Sequence, residues 1–85
     1  MKLSIRYFAS IRERLGIEQE VVDVDAPALS IDALRAHLAS RDARSAEALG
    51  PDVLLRAAVN QEMVEGGFVV RGDSEVAFFP PVTGG

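Results

Sequence analysis

The sequence predicts an α+β domain in which a main helix covers one face of a β-sheet, and three observations support this. Residues 2–8 alternate between apolar and polar side chains, which is the period of a half-buried strand. Ile31, Leu34 and Leu38 instead recur at helical spacing, so they form one apolar stripe. Residues 75–79, EVAFF, are again typical of a strand, close to the last residue of the sequence.

Length and composition restrict the possible classes of protein. The 85 residues, 48% hydrophobic and 26% charged, are enough for one core and too few for two. Without cysteine there is no disulfide framework, thiolate metal site or thiol nucleophile. A net charge of -4 disfavours nucleic-acid or anionic-membrane binding and suits docking on a protein partner. No apolar run approaches the roughly 20 residues of a membrane span, and MKLSIRYF lacks a signal peptide's apolar core, so we expect a cytoplasmic protein.

The first half of the chain reads as two strands and two short helices around the main helix. Residues 9–15 predict one or two helical turns that end at Gly16, a natural left-handed cap. Alternation returns at 18–25, and Pro27 then ends the second strand. Ser30 is the expected N-cap of the main helix. A second short helical stretch, 43–49, stops at Gly50-Pro51.

The second half of the chain completes the sheet. Residues 54–59 are strand-like, and Asn60-Gln61 lies where a turn would lead into a short strand. A hairpin, a right-handed helical crossover and a final strand (75–79) beside the first make the β-grasp arrangement, with a mixed sheet and one main helix on one face. We therefore expect a β-grasp domain at 1–79 and a flexible, extended tail at 80–85.

The tail is the most distinctive feature of the sequence. From residue 76 to residue 85 there is no ionisable side chain. Pro80-Pro81 favours extended geometry, six extended residues reach roughly 18 to 20 Å, and Gly84-Gly85 has no Cβ atoms. Such an end is slim enough to enter a narrow channel of a partner protein. The alternative interpretation is an inert, disordered glycine-rich terminus. The sequence favours a functional terminus, and since no nucleophile or base lies near it, another protein must supply the chemistry.

The aromatic residues predict a partner surface. Phe78 and Phe79 are adjacent on one strand, so their rings project from opposite faces of the sheet. Tyr7 and Phe8 stand in the same relation. If the first and last strands are neighbours, Phe8 and Phe79 share the uncovered face, where Met63 joins them, and a contiguous apolar patch of this kind typically marks an interface. The alternative is that the short helix or a loop covers these residues.

Other candidates are better explained without chemistry. His37 has no second metal ligand at i+4, so we expect a surface or partly buried helix residue. Asp23 and Asp25 form a carboxylate pair that a solvated strand face explains equally well. Arg71-Gly72-Asp73 is expected to be a turn. Gly66-Gly67 is not followed by Lys-Ser/Thr or a helix, so we expect no ATP site, and we expect this chain to bind no cofactor or metal by itself.

The whole chain resembles the small subunits of molybdopterin synthase, the MoaD-type sulfur carriers of the ubiquitin-like β-grasp superfamily. The resemblance is carried by Tyr7-Phe8-Ala9, Ile11-Arg12-Glu13, Leu15-Gly16, Ala33-Leu34-Arg35, Ala58-Val59-Asn60-Gln61-Glu62 and the string from Glu75 to Gly85, EVAFFPPVTGG. That last string is highly specific, whereas a bare Gly-Gly is shared with other carriers. One departure is the run Gly-Asp-Ser-Glu at 72–75, where the family commonly has Asp-Gly-Asp-Glu.

The resemblance implies a function and its partners. A MoeB-type adenylyltransferase would use ATP to adenylate Gly85, and a sulfur source would convert it to a thiocarboxylate. The tail would then enter a MoaE-type large subunit, which holds the catalytic residues, so that the small subunit is no enzyme alone. Sulfur would pass to cyclic pyranopterin monophosphate within a heterotetramer. The implied reactive end is Gly84 and Gly85, and the implied partner contacts are Phe8, Met63, Phe79, Pro80, Pro81, Val82 and Thr83.

Three alternatives remain open at this point. The chain could carry sulfur for another pathway, such as tRNA thiolation or the synthesis of thiamine or cysteine, although the Pro-Pro-Val-Thr spacer disfavours this. It could be a ubiquitin-like modifier that is conjugated to lysines. It could also be a docking module whose tail is inert.

Overall fold

The structure is a computed structural model, and it describes residues 1–81. The predicted site residues Val82, Thr83, Gly84 and Gly85 lie outside the described residues. Along the described chain the elements are β1 (Lys2–Tyr7), α1 (Ala9–Leu15), β2 (Gln19–Asp23), β3 (Leu29–Ser30), α2 (Ile31–Ala39), α3 (Ala43–Leu49), β4 (Arg56–Val59), β5 (Glu62–Val64), β6 (Val69–Val70) and β7 (Ser74–Phe79).

The main sheet has five strands in the order β2-β1-β7-β4-β5. The central strands β1 and β7 pair in parallel, with Tyr7 beside Phe78, and the other pairs are antiparallel. A hairpin, a helical crossover and a last strand inserted beside the first are the features of the β-grasp fold. The predicted α+β class and mixed sheet are therefore confirmed.

One face of the sheet and the inner faces of the helices form a single core. Leu3, Ile5 and Tyr7 are fully buried, as the alternation in β1 predicts. The Tyr7 and Phe78 rings stack with centroids 6.3 Å apart and an interplanar angle of 17°. The helical contribution to this cluster is Ile11, Leu15, Ile31, Leu34, Leu38, Ala48 and Leu49. All three helices therefore pack against the same face of the sheet.

The predicted helix ends are also confirmed. The Ser30 hydroxyl accepts a hydrogen bond from the Ala33 amide at 3.1 Å and so caps α2. Gly16 has φ 78°, a left-handed conformation that favours glycine, and its amide donates to the Arg12 carbonyl. Helix α3 begins with a cap that the sequence did not indicate, because the Asp42 carboxylate accepts from the Ser45 amide at 2.7 Å.

A second, two-stranded sheet of β3 and β6 was missing from the predicted order of elements. It pairs Leu29 with Val70, and each strand has only two residues, which is too short to show a period. Its neighbour Gly66 lies so close to the start of α2 that a Cβ atom there would collide with the Asp32 carboxylate. This contact between distant segments holds the start of the main helix, and only the folded chain brings it about.

The turn between β4 and β5 is left-handed at both of its central residues. Asn60 has φ 48° and Gln61 has φ 71°, as a type I′ hairpin turn requires. Asn60 also joins this hairpin to β7 through two hydrogen bonds to Glu75. Its amide donates to the Glu75 carbonyl at 2.8 Å, and its side-chain oxygen accepts from the Glu75 amide at 3.0 Å. The two turn residues share a conformation, and Asn60 is the one that is hydrogen-bonded to β7.

We expect Gln61→Gly to raise the free energy of unfolding by about 0.5–1 kcal/mol, because glycine removes the steric cost of the left-handed backbone. Asn60→Gly is the matched control, and we expect it to lower stability by about 1 kcal/mol through loss of the hydrogen bond to Glu75. Urea denaturation of the three proteins measures both changes. Destabilisation by Gln61→Gly would contradict this account of the turn.

Candidate functional site

The sheet has a second face, which none of the described helices covers. The inward residues of its strands all join the single core, so the residues between them point away from the helices. Exposed apolar side chains lie on this side: Phe8 is 38% exposed, Met63 58% and Val21 67%. We call this surface the open face.

Strand pairing brings the predicted aromatic residues together. Tyr7 lies beside Phe78, and the Phe8 amide donates to the Phe78 carbonyl at 3.1 Å, so the pairing continues one residue further. Phe8 and Phe79 therefore lie side by side on the open face, and Phe79 is half-buried. Met63 on β5 also lies on this face, opposite Ala58 of β4, and strands β7 and β4 separate it from β1. The position of these residues on one face is the one that the alternation of side chains predicts. The role of Phe8, Met63 and Phe79 as partner contacts stays a prediction.

The backbone turns sharply just after Phe8. Phe8 is still extended, with φ -127° and ψ 153°, whereas Ala9 has a positive φ of 50° as α1 begins. This left-handed residue directs the chain from the sheet towards the helical layer while Phe8 stays in the plane of the strands. The Phe8 ring is also contacted from its own strand, because the Arg6 guanidinium carbon lies 5.5 Å from its centroid.

The last strand leads to the predicted tail. Strand β7 ends at Phe79, and Pro80 and Pro81 follow it outside the sheet, both half-buried. Proline has no amide hydrogen to donate to a ladder, which explains why the strand ends here. The tail therefore begins beside Phe8 on the open face. The domain boundaries at 1–79 and 80–85 and the roles of Gly84, Gly85, Val82 and Thr83 stay predictions.

A partly buried polar network supports the other side of β1. The Tyr7 hydroxyl donates to a Glu20 carboxylate oxygen at 2.6 Å, and Arg41 forms two hydrogen bonds of 2.8 Å to the same carboxylate. Burial, and then the bond to Glu20, raises the pKa of the Tyr7 hydroxyl above its ordinary value. The hydrogen bonds from Arg41 hold the pKa of Glu20 below its ordinary value. The network connects the segment after α2 to β2 and β1. The sequence analysis did not predict it, because its three residues are far apart in the chain.

The remaining candidates have no site built around them. His37 is exposed, as expected, and lies with Asp23 and Asp25 at a shallow recess of about 200 Å³. Within residues 1–81, no group of three or more histidine or acidic side chains is placed to hold a metal ion. Nor does any helix in that range have the length and apolar character to cross a membrane.

Comparison with known proteins gives consistent results. The ThiS family model matches residues 5–85. The molybdopterin synthase sulfur carrier subunit of Escherichia coli (strain K12) is 43% identical over 83 residues, which cover 98% of this chain and 99% of the relative. The protein with the same name in Haemophilus influenzae (strain ATCC 51907 / DSM 11121 / KW20 / Rd) is 36% identical with the same coverage.

Solved structures share the fold. Small archaeal modifier protein 1 of H. volcanii has a TM-score of 0.74 at 23% identity, covering 95% of this chain and 98% of the other. A chain from the complex of subunits 1 and 2 of the molybdopterin-converting factor of Helicobacter pylori 26695 has a TM-score of 0.66 at 23% identity, with full coverage of both chains. At these identities the likeness shows the β-grasp fold alone.

The two neighbouring phenylalanines of β7 should respond very differently to truncation. We expect Phe78→Ala to lower the free energy of unfolding by about 3–5 kcal/mol, because it empties a fully buried site. Phe79→Ala should lower it by about 1 kcal/mol or less, because its ring lies on the open face. Urea denaturation measures both, and equal losses would show that the open face is part of the core.

The contribution of Glu20 to stability should depend on pH. Because its folded-state pKa is below its ordinary value of 4.5, the ionised form stabilises the fold. The stabilisation is complete above 4.5 and is lost as the pH falls through the lower, folded-state pKa. We expect Glu20→Gln to cost about 1–2 kcal/mol at neutral pH and much less at acid pH. Urea denaturation across this pH range tests the prediction, with Glu13→Gln at an exposed position of α1 as the control. A loss of stability that does not depend on pH would contradict it.

Proposed function

The chain belongs to the ThiS family, and we propose that it is the sulfur-carrier subunit of a molybdopterin synthase. The observation that carries the proposal is the nearly full-length match to two sulfur carrier subunits of that enzyme, at 43% and 36% identity. The geometry supports it, because β7 is a central strand of the sheet and leads directly to Pro80 and Pro81 beside an apolar face.

The proposed reaction begins with activation of the Gly85 carboxylate. A free carboxylate is a poor electrophile, so a MoeB-type partner transfers AMP from ATP to it and releases pyrophosphate. A sulfide equivalent from a sulfur donor then attacks the carbonyl carbon of the mixed anhydride. AMP leaves with the electrons of the broken C–O bond, and Gly85 becomes a thiocarboxylate. Gly84 and Gly85, without Cβ atoms, let the enzyme approach this carbon from either side.

Sulfur transfer takes place in the proposed large subunit. The tail enters a MoaE-type subunit, and the thiocarboxylate sulfur passes to cyclic pyranopterin monophosphate, twice for each dithiolene. The complex of subunits 1 and 2 of the molybdopterin-converting factor of H. pylori, whose matching chain has this fold, is consistent with such a partner. The catalytic residues lie in the large subunit, two copies of each chain form a cytoplasmic heterotetramer, and ATP is used by the activating enzyme rather than bound here.

In this proposal the chain's own residues bind and position. The exposed Phe8 and Met63 and the half-buried Phe79 form the apolar contact with the large subunit. Pro80 and Pro81 favour extension, and Val82 and Thr83 continue the uncharged spacer. The folded domain is the part that partners recognise, and the tail is the part that carries sulfur.

Carriers for other sulfur pathways and protein modifiers are the competing functions, because the β-grasp fold is common to them. The likeness to small archaeal modifier protein 1 illustrates this, but it concerns the fold alone. A modifier would leave isopeptide-linked Gly-Gly remnants on lysines in digests of cell protein, which a sulfur carrier for molybdopterin would not.

We expect incubation with the activating enzyme, ATP and a sulfur donor to replace one oxygen of the Gly85 carboxylate by sulfur. Intact-protein mass spectrometry detects the mass difference between one sulfur and one oxygen atom. Deletion of Gly85 should abolish molybdopterin formation with the large subunit, since the reactive carbon moves one residue towards the domain. The urea denaturation curve of this variant should match that of the unmodified chain.

Two outcomes would contradict the proposal. The first is an unchanged mass after full incubation. The second is undiminished molybdopterin formation by the Gly85 deletion. Phe79→Ala serves as the complementary variant: it should accept sulfur at Gly85 yet bind the large subunit more weakly.

A further inference from the structure

Two arginines lie near Phe79 on the open face, on the strands on either side of β7. The register places Arg56 on β4 directly opposite Phe79. It places Arg6 on β1 beside Ala77, two residues before Phe79. Paired residues on adjacent strands share a face, and β1 and β4 lie about 10 Å apart. The immediate border of the apolar contact is therefore cationic, although the whole chain has a net charge of -4.

Neither arginine forms an ion pair among the described residues. Within residues 1–81 the one ion pair joins Arg41 to Glu20, so no described carboxylate pairs with Arg6 or Arg56. Arg35, by contrast, donates to three backbone carbonyls around the end of α3. Two charges at the edge of an apolar patch, without an ion-pair partner among the described residues, are better explained by a partner protein than by stability.

Arg6 is held in place for such a contact. Its guanidinium carbon lies 5.5 Å from the Phe8 ring centroid, and its Nε atom is inaccessible to solvent without a hydrogen-bond partner among the described residues. A guanidinium stacked on a ring keeps its planar edge of N–H donors, which matches a carboxylate in two hydrogen bonds. Since the stem is already immobilised, pairing would cost little additional side-chain entropy.

We propose that the large subunit covers the open face with an acidic surface, and that its carboxylates pair with Arg6 and Arg56 on the two strands that flank β7. This inference rests on the proposed function, and it adds the charge that the partner must present. The pairs fix the orientation of the domain, so that the tail starts from a defined point, and they exclude partners that are basic at this position.

A nucleotide phosphate is a less suitable occupant. ATP reacts at the Gly85 carboxylate, and six residues separate that carboxylate from the end of β7. An extended tail spans about 18 to 20 Å, so the arginines at its start are remote from phosphates at its end. A protein surface, in contrast, has to cover the start of the tail whenever the tail is inserted.

The test measures binding of the large subunit from the same organism by isothermal titration calorimetry, at about 0.05 M and about 0.5 M salt. The unmodified chain should bind more weakly at high salt. We expect Arg6→Gln with Arg56→Gln to weaken binding about tenfold at low salt and to remove most of the salt dependence. Arg6→Glu with Arg56→Glu should weaken it about 100-fold, because like charges then face each other.

A matched control separates local from overall charge. Arg44→Glu with Arg71→Glu makes the same change in net charge at exposed positions, one on α3 and one before β7, at the end opposite Phe79. It should change the affinity less than about threefold. Circular dichroism and urea denaturation establish that each variant is folded.

The outcomes distinguish this inference from the proposed function. Undiminished binding by the Arg6→Glu, Arg56→Glu variant would overturn the acidic partner surface and leave the carrier function standing. Equal weakening by the control variant would also overturn it, since only net charge would then matter. Weakened adenylation with unchanged large-subunit binding would assign the arginines to the activating enzyme instead. Failure of the unmodified chain to bind the large subunit would overturn both.

Discussion

The parallel pairing of β1 with β7 is the constraint on which the rest of the structure depends. It places the first and last strands of the described chain side by side in the middle of the sheet. On the core side the pairing stacks Tyr7 on Phe78, and on the open face it brings Phe8 beside Phe79. A tail that leaves β7 therefore starts from a central strand of the sheet, next to the apolar open face. Strands so distant in sequence need a whole crossover between them, which α2 provides.

Consecutive residues in these strands serve opposite purposes. Phe78 is fully buried while Phe79 lies on the open face, and the same holds for Tyr7 and Phe8. A shift of register by one residue would exchange the core and the open face, so the open face is specified as strongly as the core itself. An apolar open face carries a risk of self-association, and the cationic border formed by Arg6 and Arg56 restricts which surfaces can cover it.

A carrier of this kind separates recognition from chemistry. The described residues hold no metal cluster, and their partly buried ionisable network of Tyr7, Glu20 and Arg41 is on the helical side of the sheet, away from the start of the tail. The shifted pKa values there have structural causes: burial first for Tyr7, and the hydrogen bonds from Arg41 for Glu20. In the proposed function the folded domain is recognised by an activating enzyme and then by a large subunit, while the same acyl end passes between them.

The sequence by itself determined the strand phases, the stripe of α2, the caps at Gly16 and Ser30 and the terminal motif, because each depends on neighbours a few residues apart. Even the shared face of Phe8 and Phe79 followed from alternation once the two strands were assumed to be adjacent. The tertiary structure alone decided the β3–β6 sheet, the Tyr7–Glu20–Arg41 network and the position of Arg56 opposite Phe79. These contacts join residues from 13 to 41 positions apart, and no local pattern records which distant partners the folding of the chain will bring together.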